Sequence, residues 1–527
     1  MSSPTEVLND VQSRALDREL AHREKTRVAV QVDHGSVAVG ANLVASTLAD
    51  TLPESAYLVI AGSDGASFEA PKILVTSPEG KVSVHTNVSS DFAVKLAGNL
   101  DMRSEYDRSF FDSQKRVALD LAGEISSTVV DDYLVNNGYS GLAKALTMSP
   151  ADVIEQVKSS GLRGRGGAYF PAALKWEGAS KAIGTPKYFV VNAEEGEPGI
   201  FKDRHLMESV PHRILEGMII AAYATGVERA YFYINAEANL SASRIRLAVD
   251  QAYANGFLGR NILGSGYELE VEICRGAGGY VCGEETTLLN TLEGYRREPR
   301  LRPPFPTEAG LWSKPTVINN PETLCSVPFI LTNGPDEFRD IGTDQASGTK
   351  IVSLSGSVGR PGVVEVPMGT TLRDIIYDIG GGTVNGRELT GVAVGGPSSG
   401  VLPPSELSTR IAPGLLHEAG VMLGAGGVIA LDGRLSVLET IRSLASYNAQ
   451  ESCGKCTPCR EGTPRIVDAL DRLIAGTGSR SDLDELRYLA DVVKTASLCG
   501  LGQAAGGPIT SGLKFFESEF NNLVPYE

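Results

Sequence analysis

The chain has 527 residues, enough for three or four domains each with its own core. It is 42% hydrophobic and 21% charged, and 64 acidic against 48 basic residues give a formal net charge of −16, which argues against a nucleic-acid-binding surface. No apolar run approaches the roughly 20 residues of a membrane helix, and the polar, acidic start MSSPTEVLNDVQSRALDREL lacks the apolar core of a secretory signal, so a cytoplasmic chain with no direct membrane insertion is expected.

Residues 27–100 alternate β-like runs, Arg27–Gln31, Tyr57–Ile60, Ile73–Val75 and Val82–His85, with helical patterns over about 40–52 and 90–100. That order predicts a small α/β domain of thioredoxin type within residues 1–100. Residues 101–150 read as a polar helical connection, and Ser149 with Pro150 then supplies an N-cap and a first helical position. A large α/β region follows, so that 101–345 forms the second unit. Over 346–432, short strands at Lys350–Gly356, Gly362–Val366 and Leu389–Val394 surround one helical stretch, Thr371–Ile379, with glycine-rich turns between them. This predicts a small β-grasp domain. Residues 433–527 read as helical, with periodic segments Pro464–Ala475 and Ser481–Ala496. The expected fold class is α/β multidomain with a C-terminal helical bundle.

Three loops in the second unit carry ligand-type chemistry. The first, Gly161-Leu-Arg163-Gly164-Arg165-Gly166-Gly167-Ala-Tyr169-Phe170-Pro171, precedes Lys175 and Trp176. Its glycines let backbone amides approach an anion or a ring, and its cations suit phosphate. Because the loop follows a helix and its spacing departs from G-x-G-x-x-G, it is not a dinucleotide fingerprint of Rossmann type; a plain turn is the alternative. The second, Asn192-Ala-Glu194-Glu195-Gly196-Glu197-Pro198-Gly199, ends the apolar run Tyr188–Val191, where open α/β sheets bind ligands. Its alternative is a solvated acidic turn. The third, Arg275 to Thr286, joins the strand Tyr267–Cys274 to the helix Thr287–Leu292 and brings Glu284 and Glu285 to a helix start, where capping alone accounts for carboxylates. These carboxylates repel phosphate and suit ribose hydroxyls, a carboxamide or a flavin N–H instead. Arg302-Pro-Pro-Phe305-Pro306 then offers an aromatic on a rigid loop, or a simple extended connector.

Four of the seven cysteines sit in Cys453-Gly-Lys-Cys456-Thr-Pro-Cys459 and Ser497-Leu-Cys499-Gly. A C-x2-C-x2-C run with a distant fourth thiol suits a [4Fe–4S] cluster, whereas structural zinc more often takes two separated pairs. Lys455 and Arg460 flank the thiols either as tuning charges or as ordinary solvated ones.

Taken together, GLRGRGGAYFPAALKW, NAEEGEPGIFKDR, GAGGYVCGEETTLLNTLEG, LRPPFP, KPTVINNPETL, SCGKCTPCREG and SLCGLG resemble the NADH- and FMN-binding flavoprotein subunit (51-kDa type) of respiratory complex I. The same module is similar to diaphorase subunits of NAD-linked formate dehydrogenases and NAD-reducing hydrogenases. The resemblance spans about 105–520. It implies an FMN-binding α/β domain over 101–345, a ubiquitin-like domain over 346–432 and a helical cluster domain over 433–527. FMN would lie against Gly164, Gly166, Gly167, Lys175, Asn192, Glu194, Tyr280, Glu284, Asn319, Asn320 and Thr323. NAD(H) would stack on the flavin with its adenine near Phe170 and Phe305, and with Glu197 and Glu285 on nicotinamide or ribose groups. Glu285 further implies a preference for NAD over NADP. One [4Fe–4S] cluster would sit on Cys453, Cys456, Cys459 and Cys499.

Two residues depart from the family pattern: Glu194 stands where Asp is usual, and Tyr169 replaces a small residue. The first is expected to shift flavin contacts and the second to narrow the nicotinamide pocket. Related chains often begin with a thioredoxin-like [2Fe–2S] domain bearing G-C-x-G-x-C-x-x-x-P. Here the matching stretch is Gly62-Ser63-Asp64-Gly65-Ala66-Ser67-Phe68-Glu69-Ala70-Pro71, with serine at both cysteine positions and no cysteine before Cys274. That domain is expected to be a degenerate scaffold and docking surface. The implied partners are a [2Fe–2S] thioredoxin-like small subunit and a further iron–sulfur or catalytic subunit. The implied activity is a diaphorase; the alternative is a cluster-bearing relay or assembly module without nucleotide turnover.

Overall fold

The computed structural model describes residues 3–524. Ser3 and Glu6 form a capping box on helix α1 (Pro4–Leu20). The buried face of α1 (Leu8, Val11, Ala15) joins the core of the large central region rather than that of the sheet it precedes. That N-terminal sheet follows as β1 (Thr26–Gln31), α2 (His34–Ala38), α3 (Ala41–Thr51), β2 (Ala56–Ala61), β3 (Ile73–Thr76), β4 (Val82–His85) and α4 (Ser90–Gly98). Its strand order is β2-β1-β3-β4, with β1 parallel to β2 and the β1–β3 and β3–β4 pairs antiparallel. Val28 and Val30 of β1, Ile73 and Val75 of β3, Val44 and Leu48 of α3 and Leu96 of α4 share one core.

The expected helical connection over 101–150 is largely irregular, with short helices α5 (Ser109–Asp112), α6 (Asp131–Val135) and α7 (Ser140–Ala145). Its amides are satisfied from outside: those of Val117, Ala118 and Leu119 donate to the buried Glu365 carboxylate at 3.0, 2.9 and 2.8 Å. A segment pinned in this way needs no helix of its own.

The central region runs α8 (Pro150–Ser159), α9 (Ala172–Lys181), β5 (Tyr188–Ala193), α10 (Lys202–Ser209), α11 (Pro211–Thr225), β6 (Arg229–Ile234), α12 (Asn239–Ala254), β7 (Glu270–Arg275), α13 (Glu285–Leu292), α14 (Pro306–Ala309), β8 (Thr316–Asn319), α15 (Pro321–Asn333) and α16 (Pro335–Arg339). Ser149 caps α8 and Pro150 opens it, as their residue types predict. The sheet order is β7-β6-β5-β8, all parallel. The chain therefore reverses direction across the sheet between β5 and β8. At such a switch point the loops leaving the two strands diverge and open a crevice, and here those loops follow Ala193 and Asn319.

Next come β9 (Gly342–Thr343), β10 (Ala346–Ser347), β11 (Thr349–Gly356), β12 (Gly362–Pro367), a π-helical turn Asp374–Ile379, β13 (Leu389–Val394), β14 (Gly400–Leu402), α17 (Pro413–Ala419) and β15 (Gly427–Asp432). The five-stranded sheet has the order β12-β11-β15-β13-β14. Strands β14 and β15 and helix α17 go beyond the three strands and single helix expected from the sequence. The terminal bundle comprises α18 (Val437–Gln450), α19 (Thr457–Ile474), α20 (Arg480–Ala496), α21 (Gly500–Ala504), α22 (Gly507–Phe515) and α23 (Glu517–Asn522), around Ile441, Ile466, Leu470, Leu486 and Phe520. Helix α19 starts seven residues ahead of the expected Pro464, which it carries in its interior. Pro458 already occupies the favoured first turn. Among the described residues no helix is long and apolar enough to cross a membrane.

Candidate functional site

The glycine loop between α8 and α9 is fixed at both ends and free in the middle. Gly164 N donates to Phe170 O at 2.9 Å and Arg165 N donates to Thr323 Oγ1 at 2.9 Å, whereas the amides of Gly166, Gly167 and Ala168 find no acceptor among the described residues. Gly167 has φ +118°, open to glycine at little cost. A Cβ on Gly166 would lie 3.1 Å from Asn320 Cβ, so the loop lies directly against the end of β8. The Arg165 side chain is no phosphate ligand: fully buried, it donates to the carbonyls of Arg163, Ser347 and Thr349 and ties the loop to the sheet domain that follows. Tyr169 does not narrow a nucleotide pocket either. Its ring is buried in the core of that same domain and its hydroxyl donates to Gly424 O at 3.0 Å, which corrects the sequence expectation.

Lys175, one turn into α9, brings the other elements together. Its ammonium lies 3.2 Å from Glu285 Oε2 and donates to Ile318 O at 3.1 Å, and Arg302 reaches Glu285 Oε1 at 2.9 Å. Glu284 is largely spent on structure: its Oε2 accepts from the amides of Thr286 and Thr287 at 3.0 and 2.9 Å and so caps α13. Asn319 Oδ1 accepts from the Trp176 indole at 2.8 Å, and Asn320 caps α15 while its amide donates to Asp203 at 2.6 Å. Asn192 donates to Gly283 O at 2.8 Å, locking the β5 loop to the third loop. Phe170 and Phe305, 52% and 51% exposed, stand on the two flanking loops.

The acidic loop after β5 holds the least satisfied groups. Glu194 Oε1 accepts from Asn235 at 2.7 Å and Glu197 Oε1 from the Tyr280 hydroxyl at 2.6 Å, yet the second oxygen of each is buried without a partner among the described residues. Burial pushes both carboxyls up to about 7, against the partial relief that Asn235 and Tyr280 give. Glu195 has a different job, accepting from the amides of Asp203 and Arg204 at 2.9 and 3.0 Å at the start of α10. The β5 loop thus carries two half-satisfied carboxyls and the glycine loop at the end of β8 three amides without acceptors, so both sides of the switch point are polar and short of partners among the described residues. A flavin mononucleotide supplies both needs, with a phosphate and carbonyls for amides and an N–H for carboxylates.

Cys453, Cys456, Cys459 and Cys499 line one cavity with Tyr280, Glu451, Lys455, Asn448 and Leu501. Cys456 is the N-cap of α19, and Cys459 lies in its first turn, where the helix dipole favours thiolate charge. Burial raises the Cys459 and Cys499 thiols above the usual range, so ligation by metal, not solvent exposure, would be what ionises them. Three thiols in a C-x2-C-x2-C run and a distant fourth around one shared cavity suit a multi-iron cluster. Lys455 pairs with Glu298 at 3.2 Å and Arg460 with Glu461 at 3.0 Å, so both cations are engaged with surface acids.

The Nuo51 FMN-binding domain family matches residues 157–329, and the NADH-ubiquinone oxidoreductase-F iron–sulfur binding region matches residues 439–523. An SLBB domain matches 351–402. The HndC component of the NADP-reducing hydrogenase of Solidesulfovibrio fructosivorans is 44% identical over 411 residues, covering 78% of this chain and 84% of that protein. The chain belongs to the 51-kDa FMN-binding flavoprotein family. A second member, the F 2 component of the NADH-quinone oxidoreductase of Rhizobium meliloti, is 46% identical over 393 residues, 74% of this chain and 93% of that one. Among solved structures, a chain of an NAD+-reducing [NiFe]-hydrogenase in the H2-reduced state shares 28% identity with a TM-score of 0.70, and the match covers 95% of this chain and 84% of that one. As a member of the 51-kDa family the chain carries FMN and a [4Fe–4S] cluster on Cys453, Cys456, Cys459 and Cys499.

Tyr280, expected at the flavin, also joins the crevice to the cluster cavity, and it does so through partners that sequence reasoning missed. Tyr280 lines the cavity, its hydroxyl meets Glu197 and lies 3.0 Å from Ser398 Oγ, and its amide donates to Glu451 Oε2 at 2.7 Å. Tyr447 donates to Gly196 O at 2.6 Å. Glu451 stands two residues before Cys453, the one hint the sequence offers; Ser398 and Tyr447 carry none.

Proposed function

We propose that this chain is the diaphorase subunit of a larger redox complex, exchanging hydride with NAD(H) at FMN and passing single electrons through its [4Fe–4S] cluster to or from partner subunits. The observation that carries the reading is Tyr280, which is shared by the acidic nucleotide loop and by the wall of the cluster cavity. Bound FMN supplies the two-electron to one-electron conversion that no side chain of the chain provides. The residues bind and orient. Gly164, Gly166 and Gly167 offer backbone approach, and Lys175 offers charge. Asn192, Glu194, Tyr280, Glu284, Asn319, Asn320 and Thr323 define the flavin crevice. Phe170 and Phe305 present ring faces for adenine, and Glu197 and Glu285 read nicotinamide or ribose groups. Glu285 further favours NAD over NADP.

The strand order β2-β1-β3-β4 supports a thioredoxin-like N-terminal domain within residues 1–100, and the mixed five-stranded sheet supports a ubiquitin-like β-grasp over 346–432. With no cysteine before Cys274, further clusters must come from partners. A [2Fe–2S] thioredoxin-like small subunit and a second iron–sulfur or catalytic subunit fit that need. A cytoplasmic site follows, with any membrane contact made through the complex.

The test uses the full chain reconstituted with FMN and iron–sulfur cluster under anaerobic conditions. NADH should reduce an artificial dye and also bring up the low-spin electron paramagnetic signal of the cluster. Bound flavin with neither response would sink the diaphorase reading in favour of a relay without turnover.

A further inference from the structure

We propose that the cysteine-free N-terminal domain is a buttress for the flavin crevice, and that His34, Gly62 and Glu208 are positioning residues acting through helix α10. This rests on FMN occupying the crevice between β5 and β8. Helix α10 is eight residues long, about 12 Å, and seven of those residues are buried. Its first turn belongs to the crevice. Glu195 accepts from its amides, and Lys202 contacts Asp203 at 2.7 Å, Glu322 at 3.0 Å and Asn320 at 3.2 Å. Asn320 in turn donates to Asp203 at 2.6 Å. Where α10 stands therefore decides where Asn320 points.

The last turn of α10 belongs to the N-terminal domain. Glu208 is 1% exposed and accepts from the His34 amide at 2.8 Å and from Ser241 at 2.7 Å, with the His34 ring nitrogen 3.1 Å away. His205 faces Asp33 at 3.7 Å. Ser209 packs so closely on Gly62 that a Cβ there would lie 2.1 Å from Ser209 Cα. Asp33 and His34, at the start of α2 just after β1, and Gly62, just after β2, lie beyond the C-terminal ends of these parallel strands, so both connections grip the same helix end.

These loops are themselves rigid. Asp33 accepts from Ser36 N at 2.7 Å. Buried Lys72 holds Asp64 at 2.6 Å and Glu69 at 2.5 Å, and it meets the Tyr106 hydroxyl at 2.6 Å. Gln31 adds a bond to Asp64 at 3.0 Å. On the opposite side Gly65 O accepts from Val363 N of β12 at 2.9 Å, wedging the domain between α10 and the SLBB sheet. A buried ion network around a loop that touches a second domain on each side is a device for fixing position, since one misplaced partner leaves a buried charge unpaired.

The experiment strips FMN from the full chain and titrates it back, following flavin fluorescence for affinity and visible circular dichroism for the environment of the bound ring. His34→Ala, which removes the ring contact to Glu208, and Gly62→Ala, whose Cβ would run into Ser209, should each weaken FMN binding roughly ten-fold and should alter the flavin dichroism. His34→Gln, whose amide can donate to Glu208, should restore both. Leu43→Ser, on the outer face of the same domain at 60% exposure, should match the parent. Faster amide hydrogen exchange over residues 202–209 in the first two variants, with affinity and dichroism unchanged, would overturn the proposal. So would an equal loss in Leu43→Ser, which would reveal general destabilisation. Failure of the parent chain to take up FMN would instead remove the flavin reading itself.

Discussion

Replacing Glu285 by Gln should turn the nucleotide site toward NADPH. Glu285 lies between two cations, with Lys175 at 3.2 Å and Arg302 at 2.9 Å, and its side chain keeps about a quarter of its exposure. With Glu285 on the ribose side as proposed, removing its charge would do two things at once: delete an anion that opposes a 2′-phosphate, and free two cations to meet one. A unit charge about 5 Å from a phosphate, at an effective dielectric of about 20, contributes roughly 3 kcal/mol, and solvent screening at a partly exposed group leaves roughly half of that. About 1.5 kcal/mol is a factor of roughly ten in kcat/KM. Steady-state dye reduction with NADPH and with NADH, each at low and at high salt, measures it. The NADPH to NADH ratio of kcat/KM should rise about ten-fold at low salt and fall back as screening grows. An unchanged ratio, or equal losses with both nucleotides, would refute a ribose-side role for Glu285 and make the Lys175–Glu285–Arg302 cluster purely structural.

Tyr280→Phe removes the hydroxyl that stabilises ionised Glu197, so the Glu197 carboxyl should titrate clearly above its present value of about 7; difference infrared spectroscopy of the carboxyl band, or the pH profile of NADH binding, reads the change, and an unmoved profile counts against the contact. Glu194 and Glu197 both hold, up to about 7, a proton that an unfolded chain releases near 4.5, so the FMN-free protein should lose stability as pH rises through that window. The fall in Tm should shrink in the Glu194→Gln, Glu197→Gln double variant, and a slope that survives both changes would locate it elsewhere. Arg165→Met should cost roughly 2–4 kcal/mol, because the buried carbonyls of Ser347 and Thr349 lose their donor; urea unfolding measures the loss, and a variant as stable as the parent would show that water replaces the guanidinium.

Local chemistry is legible in the sequence and long-range placement is not. The four cysteines declare themselves by spacing alone, and Ser149-Pro150 marks a helix start by residue type. Tyr188–Val191 reads as a buried strand because its apolar run ends in polar loop residues. Tyr169 misleads because a tyrosine in a glycine loop looks the same whether its ring faces a ligand or a neighbouring core; only the sheet domain 255 residues further on, through Gly424, decides between them. The start of α19 escapes the sequence for a related reason. Pro464 is a good helix opener by type, but Pro458 and the N-cap Cys456 open the helix first, and the bundle packing of Ile466, Leu470 and Leu473 carries the interior proline. Glu284 is readable as a cap from its position at a helix start, whereas the pairing of Glu285 with Lys175 joins residues 110 apart and has no local signature.

The same contrast explains how the domains are joined. Buried polar pins recur where they meet: Glu365 on the 117–119 amides, Lys350 on Glu322 at 2.5 Å, and Arg165 on the 347 and 349 carbonyls. Apolar surfaces alone would bury as much area, yet they tolerate sliding because dispersion and water release are nearly indifferent to register. Directional bonds to buried charges are not, since a shift of about an ångström leaves a charge without its partner. Electron transfer between a flavin and a cluster falls steeply with distance, so a chain with one of each is served by joints that fix spacing more than by joints that maximise stability. Because Glu322 also holds buried Lys202 at 3.0 Å and accepts from Ile351 N at 2.8 Å, Lys350→Met with Glu322→Leu should lower the melting temperature and broaden the spread of flavin-to-cluster transfer rates, and an unchanged spread would count against the pin.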